Sequence, residues 1–280
     1  MDESTRQLQA QLANARFEVL PLRGAAEQVS ALPGGTTVTV TSSPKKGLDA
    51  TFELTARLRD MGYHVVPHLA ARLVADTAHL ASVLDRFEAL GLTELFVVAG
   101  DSPEPAGRFP DALSLLRALD DLGRRPPRVG ITGYPERHAL IPDATTIRAM
   151  ADKAEHADYI VSQMCFDPAT LAAWIKDVRA RGVELPIHIG VPGVVDLHRL
   201  LRISLKIGLG ESMRFARKQH GVVTKLLTRY TPEELFDGLA PCLTDPAAGI
   251  AGWHFFTFNE IEKTVQWRQD LVARLGEVPA

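Results

Sequence analysis

A carboxylate inside an apolar segment is the first candidate for chemistry. Glu18 lies within the run 17–22, where a charge is costly unless it is paired or used. A desolvated Glu is also what a general acid near neutral pH requires, because burial raises its pKa. The residue type alone leaves two interpretations open: a general acid, or a structural carboxylate paired with Arg23.

Other polar and aromatic side chains follow apolar segments. Asp101 precedes Ser102-Pro103, so it is a candidate for binding or for a turn. Gln163 could bind a ligand or satisfy backbone groups. His68 alternates with apolar residues, as a buried structural histidine would, and Phe256 is a candidate for core packing or for stacking on a ligand.

Short apolar runs alternate with amphipathic segments along the chain. The predicted strands are 17–22, 37–43, 65–70, 95–100, 129–134, 159–164, 187–191 and 253–258. The predicted helices are 47–60, 77–90, 111–122, 143–155, 168–181 and 260–275, with Asp143 and Asp167 as caps. Several strands are continuously apolar, which is typical of strands buried on both faces.

The alternation predicts an α/β fold with a parallel sheet and right-handed crossovers. Eight units in 280 residues favour a closed (β/α)8 TIM barrel, formed as a single domain over 1–280. The segment 196–249 contains helical pieces at 197–207, 211–218 and 232–239, and we interpret it as an enlarged insertion after strand 7. In such a barrel the functional groups lie at the carboxyl ends of the strands.

Composition excludes several classes of protein. The net charge is −3 and the pI about 6.3, so nucleic acid and membrane surfaces are not expected partners. The first 16 residues lack a leader-like apolar run, and we expect a cytoplasmic protein. Two cysteines and no metal-ligand spacing predict no disulfide framework and no metal site.

Several short motifs together carry a family resemblance. They are Phe17-Glu18-Val19-Leu20-Pro21-Leu22-Arg23, Pro67-His68-Leu69, Gly100-Asp101-Ser102-Pro103, Tyr134-Pro135-Glu136-Arg137-His138, Gln163-Met164-Cys165-Phe166-Asp167 and His254-Phe255-Phe256-Thr257-Phe258-Asn259. Their order and spacing resemble the methylenetetrahydrofolate reductase family. The resemblance implies a barrel enzyme that reduces 5,10-methylenetetrahydrofolate to 5-methyltetrahydrofolate, a step on the route to methionine, with NADH or NADPH as the reductant and FAD as the carrier.

The resemblance also implies roles for individual residues. Glu18 matches the acid that opens the five-membered ring of the folate to an iminium. Asp101 and Gln163 match groups that bind the pterin, and Phe256 is assigned to the substrate side. The predicted cofactor-binding residues are Thr41, His68, Tyr134 and His138.

Departures from the family pattern concern the flavin side. Ala99 stands where the family has an arginine, and Asp152, beside Lys153, stands where it has a flavin-phosphate lysine. This asymmetry favours the subgroup in which NADH delivers hydride directly, without FAD. The alternatives are an FAD enzyme with altered contacts, a methyltransferase component and a non-catalytic folate-binding protein. The sequence determines neither whether NADH or NADPH is the reductant nor what the oligomeric state is.

Overall fold

Eight parallel strands form a closed barrel in sequential order in this computed structural model, which describes residues 2–136, 150–195 and 231–277. The strands are β1 (Arg16–Val19), β2 (Thr37–Val40), β3 (His64–Ala70), β4 (Glu94–Val98), β5 (Arg128–Gly133), β6 (Tyr159–Ser162), β7 (Ile187–Pro192) and β8 (Ile250–Phe256). β1 pairs with both β2 and β8, which closes the barrel. The predicted TIM barrel is confirmed.

Helices surround the strands. They are α1 (Glu3–Ala13), α2 (Ala25–Val29), α3 (Gly47–Asp60), α4 (Thr77–Ala89), α5 (Ala112–Asp121), α6 (Pro168–Ala180), α7 (Glu233–Leu243) and α8 (Ile261–Glu277). Aspartates begin several of them: the Asp111 and Asp167 carboxylates each accept from a backbone N–H of the first turn. α1 and α2 were not predicted, because α2 has only five residues and α1 is largely polar.

Some predictions fall on residues outside the described ranges. Of the predicted helix 143–155, residues 150–154 are helical and the preceding part, with the cap Asp143, is not described. The predicted pieces 197–207 and 211–218 of the enlarged insertion also lie outside those ranges. The third piece, 232–239, corresponds to α7.

Among the described residues, two clusters of buried apolar side chains are prominent. The larger lies between the strands and the helices and includes Phe17, Leu95 and Phe255. The smaller consists of Val66, Phe96, Tyr159 and Val161 inside the barrel. Side chains alternate across each strand, so the neighbours of the outward residues face the barrel axis. Glu18 is such a neighbour, which explains how a carboxylate can lie within an apolar strand.

An ion network lies at the amino end of the barrel. Arg16, from β1, donates to Glu94 of β4 and to the Tyr159 hydroxyl, 3.2 Å away. Nε2 of His64 is 3.1 Å from Glu94, and the guanidinium of Arg128 is 3.6 Å from it. Burial opposes ionisation of Glu94, but the His64 hydrogen bond and the Arg16 charge lower its pKa below the ordinary value. The amino end is therefore closed by paired charges.

The strand boundaries differ from prediction in a regular way. β1, β3, β4 and β5 each begin one residue earlier than predicted, and the added residues are Arg16, His64, Glu94 and Arg128. Arg16 and Glu94 are buried as a mutual pair, which makes their burial tolerable, whereas His64 and Arg128 are exposed and contact Glu94 from outside. At the other end several strands stop early, because the residues beyond them take part in loop hydrogen bonds.

Candidate active site

The centre of the candidate site is the Glu18 carboxylate with two histidines. Oε2 of Glu18 lies 3.2 Å from Nε2 of His254 and 3.8 Å from Nε2 of His68. The Glu18 side chain is 15% exposed, whereas His254 and His68 are buried at 1% and 8%. The structure therefore joins β1, β3 and β8 around one carboxyl group. The alternative pairing of Glu18 with Arg23 is not what the structure shows.

Burial sets the protonation of this cluster. It raises the pKa of Glu18 to about 7, although the nearby His68 opposes the rise. It lowers the pKa of His68 to about 4 and that of His254 to about 3. Near neutral pH the two imidazoles are consequently uncharged, and a substantial fraction of Glu18 carries a proton. A protonated carboxyl next to neutral rings is the state that a general acid requires.

The loop after β8 holds the backbone from Glu18 to Leu20. The Thr257 hydroxyl donates to the Glu18 carbonyl at 2.6 Å. The Asn259 amide accepts from the N–H of Leu20 at 2.8 Å and donates to its carbonyl at 3.0 Å, as a further strand would. Phe258 and Asn259 adopt left-handed backbone angles, with φ of 51° and 63°. This strained corner fixes Glu18 relative to β8.

Two predicted residues follow the neighbouring strands β4 and β5 at their carboxyl ends. Tyr134 follows β5, and burial raises the pKa of its phenol, with a hydrogen bond involving Thr132 opposing the rise. The negative charge of Asp101, from the loop after β4, raises it further, so Asp101 lies within electrostatic reach of the phenol. The Asp101 side chain is exposed and available to a ligand.

Gln163 and Thr41 take positions at the ends of their strands. The N–H of Gln163 donates to the Gly133 carbonyl at 2.7 Å, and its Oε1 accepts from the N–H of Met164 at 2.9 Å. Part of its amide thus serves the backbone, as one interpretation of the sequence held. The N–H of Thr41 donates to the Val19 carbonyl at 2.9 Å. Its hydroxyl is buried without a partner among the described residues.

Phe256 ends β8 beside the central cluster. Its ring meets that of His254 edge-on, with centroids 5.0 Å apart. A Cβ at position 190 would lie 2.7 Å from the Phe256 ring and 2.1 Å from the Ser162 carbonyl, so Gly190 makes room for this aromatic side chain. His138, a predicted cofactor residue, lies outside the described ranges.

Sequence reasoning missed His254 and His188. His254 alternates with apolar residues in the sequence, as a buried structural histidine would, yet in the structure it hydrogen-bonds Glu18. A signal was present: His254 lies two residues before Phe256, so the two share one face of the strand. His188 lies in β7 with its ring edge-on to Tyr159, and within the described chain neither of its ring nitrogens has a partner. The interior of the barrel is thus more polar than the strand pattern predicted.

No group of three or more His, Cys, Asp and Glu side chains in the described ranges has an arrangement that could hold a metal ion. Within the same ranges, no helix is long and apolar enough to cross a membrane.

A parallel barrel with a protonatable carboxyl group at the carboxyl ends of its strands is typical of (β/α)8 proteins whose functional groups lie at that end. We call this end the mouth of the barrel. Residues 21–210 match the sequence profile of methylenetetrahydrofolate reductase. The match covers more than half of the chain, and the chain belongs to the methylenetetrahydrofolate reductase family.

Individual relatives agree with the family profile. The chain is 29% identical over 155 residues to methylenetetrahydrofolate reductase 1 of Schizosaccharomyces pombe, a match that covers 53% of this chain and 24% of that protein. It is 26% identical over 118 residues to methylenetetrahydrofolate reductase 2 of Saccharomyces cerevisiae, covering 38% and 19%. The matched regions thus span a quarter or less of these relatives.

Solved structures share the fold. A protein from Clostridium thermocellum, described as binding two copies of 5-methyl-5,6,7,8-tetrahydrofolic acid, superposes with a TM-score of 0.61 at 12% identity, covering 95% of this chain and 99% of that one. Oxaloacetate acetylhydrolase superposes with a TM-score of 0.52 at 11% identity, covering 98% and 87%. At these identities the likeness concerns the fold.

Proposed function

We propose that this protein reduces 5,10-methylenetetrahydrofolate to 5-methyltetrahydrofolate, with hydride taken directly from NADH. The observation that carries the proposal is the Glu18 cluster. A carboxyl with a pKa of about 7 lies at the mouth of a barrel that belongs to this reductase family. The related fold that binds 5-methyltetrahydrofolate is consistent with a folate occupying such a mouth.

Glu18 acts as the acid in the proposed reaction. Its proton goes to the nitrogen that leaves the methylene carbon when the five-membered ring opens, and the carbon–nitrogen electron pair stays on that nitrogen. The resulting iminium is cationic, and the Glu18 carboxylate that remains stabilises it through charge. His254, which shares a hydrogen bond with Glu18, holds the carboxyl in orientation. Asp101, Gln163 and Phe256 bind and orient the pterin in this proposal.

Departures on the family's flavin side support the proposed route without FAD. At the position of the family's flavin-phosphate lysine, Asp152 is exposed and negatively charged, which repels a phosphate. The neighbouring Lys153 is buried, and burial lowers its pKa to about 8, against the charge of Asp111. Ala99 offers no side-chain donor. The buried Thr41 hydroxyl, together with His68 and Tyr134, suits the ring and carboxamide of a nicotinamide, which supplies the hydride when bound.

The test is methylenetetrahydrofolate-dependent oxidation of NADH by purified protein from which flavin has been removed. We expect turnover without FAD and no increase when FAD is added. NADPH in parallel reactions measures the preference for the nucleotide. Product analysis must show one 5-methyltetrahydrofolate formed for each NADH consumed.

Other outcomes would contradict the proposal in distinct ways. Turnover that requires FAD would assign the protein to the flavin-dependent reductases. Folate binding without NADH consumption would indicate a non-catalytic folate-binding protein. Methyl transfer without a pyridine nucleotide would indicate a methyltransferase component.

A further inference from the structure

Arg72 lies beside the candidate site and has no role in the proposed chemistry. It falls in the short turn Ala71–Leu73 that follows β3, the strand of His68. It lies next to the loop that follows the adjacent strand β4, and this loop carries Asp101. Residues 99–110 of this loop contain no helix or strand of their own. Something other than regular backbone pairing must therefore define the position of Asp101.

The Arg72 guanidinium donates to three carbonyl groups of that loop. Its Nε is 2.7 Å from the Ser102 oxygen, one Nη is 2.6 Å from that of Pro103, and the other is 3.1 Å from that of Pro110. The three acceptors lie on both sides of the loop. Hydrogen bonds from a charged donor are stronger than those between neutral groups. One planar group thus ties the beginning of the loop to its end.

We call Arg72 and the loop groups that it contacts the clasp. Backbone hydrogen bonds add to its side-chain contacts. The N–H of Arg72 donates to the Ala99 carbonyl at 3.0 Å, and its carbonyl accepts from the N–H of Ala106 at 2.9 Å. Gly100, with φ of +91°, packs so closely that a Cβ there would lie 2.9 Å from the Cβ of Ala70. Asp101 is held between these points, one residue from both Gly100 and Ser102.

We propose that Arg72 is a positioning residue for Asp101, and through it for folate binding; this inference rests on the proposed function. A lysine cannot replace it, because a single ammonium lacks the planar fork that reaches separated carbonyls. Arg72 touches neither the substrate nor the cofactor in this proposal. Its effect on binding passes through the position of the loop.

The variants Arg72→Gln and Arg72→Lys test the clasp, with Arg179→Gln as the matched control. Arg179 also donates to several backbone carbonyls, those of Val183, Leu185 and Ala248, but at the amino end of the barrel. Both Arg72 variants should weaken binding of 5-methyltetrahydrofolate by about tenfold to a hundredfold, since a displaced binding group costs this much. Arg179→Gln should lower the melting temperature without changing this affinity.

A double-variant comparison shows whether Arg72 acts through Asp101. Asp101→Asn alone should weaken folate binding, and adding Arg72→Gln should weaken it no further than about twofold. Independent, additive losses would overturn the inference. So would an Arg72→Gln protein that binds folate as the unaltered protein does.

Hydrogen exchange separates failure of this inference from failure of the proposed function. Without any ligand, the amides of Ala106 and Arg108 should exchange faster in Arg72→Gln than in the unaltered protein or in Arg179→Gln. Unchanged exchange would overturn the clasp even if the protein is a reductase. If the unaltered protein binds no folate, the proposed function fails and the assigned role of Arg72 fails with it, whatever the exchange rates.

Discussion

The Glu18 carboxyl contacts two neutral imidazoles rather than an arginine, and this difference determines its chemistry. An arginine would lower the pKa of Glu18 and keep the group ionised. His254 and His68 leave burial as the dominant influence on the Glu18 pKa, so a substantial fraction of the carboxyl is protonated near neutral pH. The same cluster also keeps both rings uncharged, which makes Glu18 the group able to donate a proton there.

We predict that Glu18→Gln loses most of the reductase turnover while the fold survives. An amide fills the same volume and can still hydrogen-bond His254, but it has no acidic proton, and general acids typically contribute about 10²–10⁴-fold. Turnover of NADH with methylenetetrahydrofolate measures the effect. Glu27→Gln, at the exposed ion pair with Arg57, is the control and should keep full activity. Unaltered turnover in Glu18→Gln would remove Glu18 from its role.

The same variant should change the pH dependence of stability. The pKa of Glu18 rises on folding from 4.5 to about 7, so the folded state holds its proton more tightly. The protonated Glu18 therefore adds to the stability of the folded state below pH 4.5, and this stabilisation is lost as the pH rises through about 7. Glu18→Gln cannot ionise. Between pH 5 and 8, the free energy of unfolding of Glu18→Gln should therefore rise relative to that of the unaltered protein, by roughly 3 kcal/mol at most.

Denaturant unfolding at several pH values measures this difference. The histidines have lowered pKa values and reduce stability as the pH falls below their ordinary value of 6.5, but both proteins contain them. A pH-independent difference between the two proteins would show that Glu18 keeps an ordinary pKa.

At the scale of single residues, the sequence indicated which side chains were candidates for the site but not which residues they contact. Glu18 stood out because a carboxylate interrupts an apolar strand. The partner of Glu18 could not be recognised, because Arg23 is near in sequence while His254 is 236 residues away. Only closure of the barrel brings β8 next to β1, and no local pattern encodes that register. Arg72 was not recognised either, because its acceptors are backbone carbonyls, which every sequence contains.

At the scale of elements, the strands were predictable in their apolar centres and not at their charged ends. The amino ends at Arg16, His64, Glu94 and Arg128 were not predicted, because the apolar pattern stops before these polar residues and their contacts form only in the fold. The carboxyl ends were overextended because residues such as Leu20 and Thr41 are strand-like in type. In the structure Leu20 instead bonds the side chain of Asn259.

We predict that Asn259→Ala lowers the free energy of unfolding by about 1–3 kcal/mol and also lowers turnover. The change leaves the Leu20 peptide without its partners. It also places alanine at φ of +63°, where it is strained. Asn259→Gly is the matched variant, since glycine accepts this angle but provides no amide. If glycine restores stability and not turnover, the hydrogen bonds position Glu18; if it restores both, the corner contributes backbone geometry alone.

At the scale of the whole molecule, the barrel has two different ends. The amino end contains the charge network centred on Glu94, and the carboxyl end contains the candidate site. We predict that Glu94→Gln lowers the free energy of unfolding by about 3–5 kcal/mol, because Arg16 remains as a buried charge with a weakened partner. At 2–4 °C per kcal/mol, the melting temperature should fall by roughly 6–20 °C.

The control for this prediction is again Glu27→Gln, whose exposed pair is screened by solvent and should contribute little to stability. A Glu94→Gln protein as stable as the control would show that the network is not required for closure. At temperatures where Glu94→Gln remains folded, its folate affinity should equal that of the unaltered protein, since the network is at the far end of the barrel.

The tryptophans have a consequence for spectroscopy. Trp253 is fully buried against Phe236, which also contacts Trp267, and Trp174 packs beside Gly133. These three, all the tryptophans of the chain, lie in the layer between strands and helices. Their intrinsic fluorescence therefore reports the separation of helices from the barrel during unfolding. A ligand at the mouth is better followed by its own emission, as reduced nicotinamide permits, so one sample gives two optical signals, one for folding and one for binding.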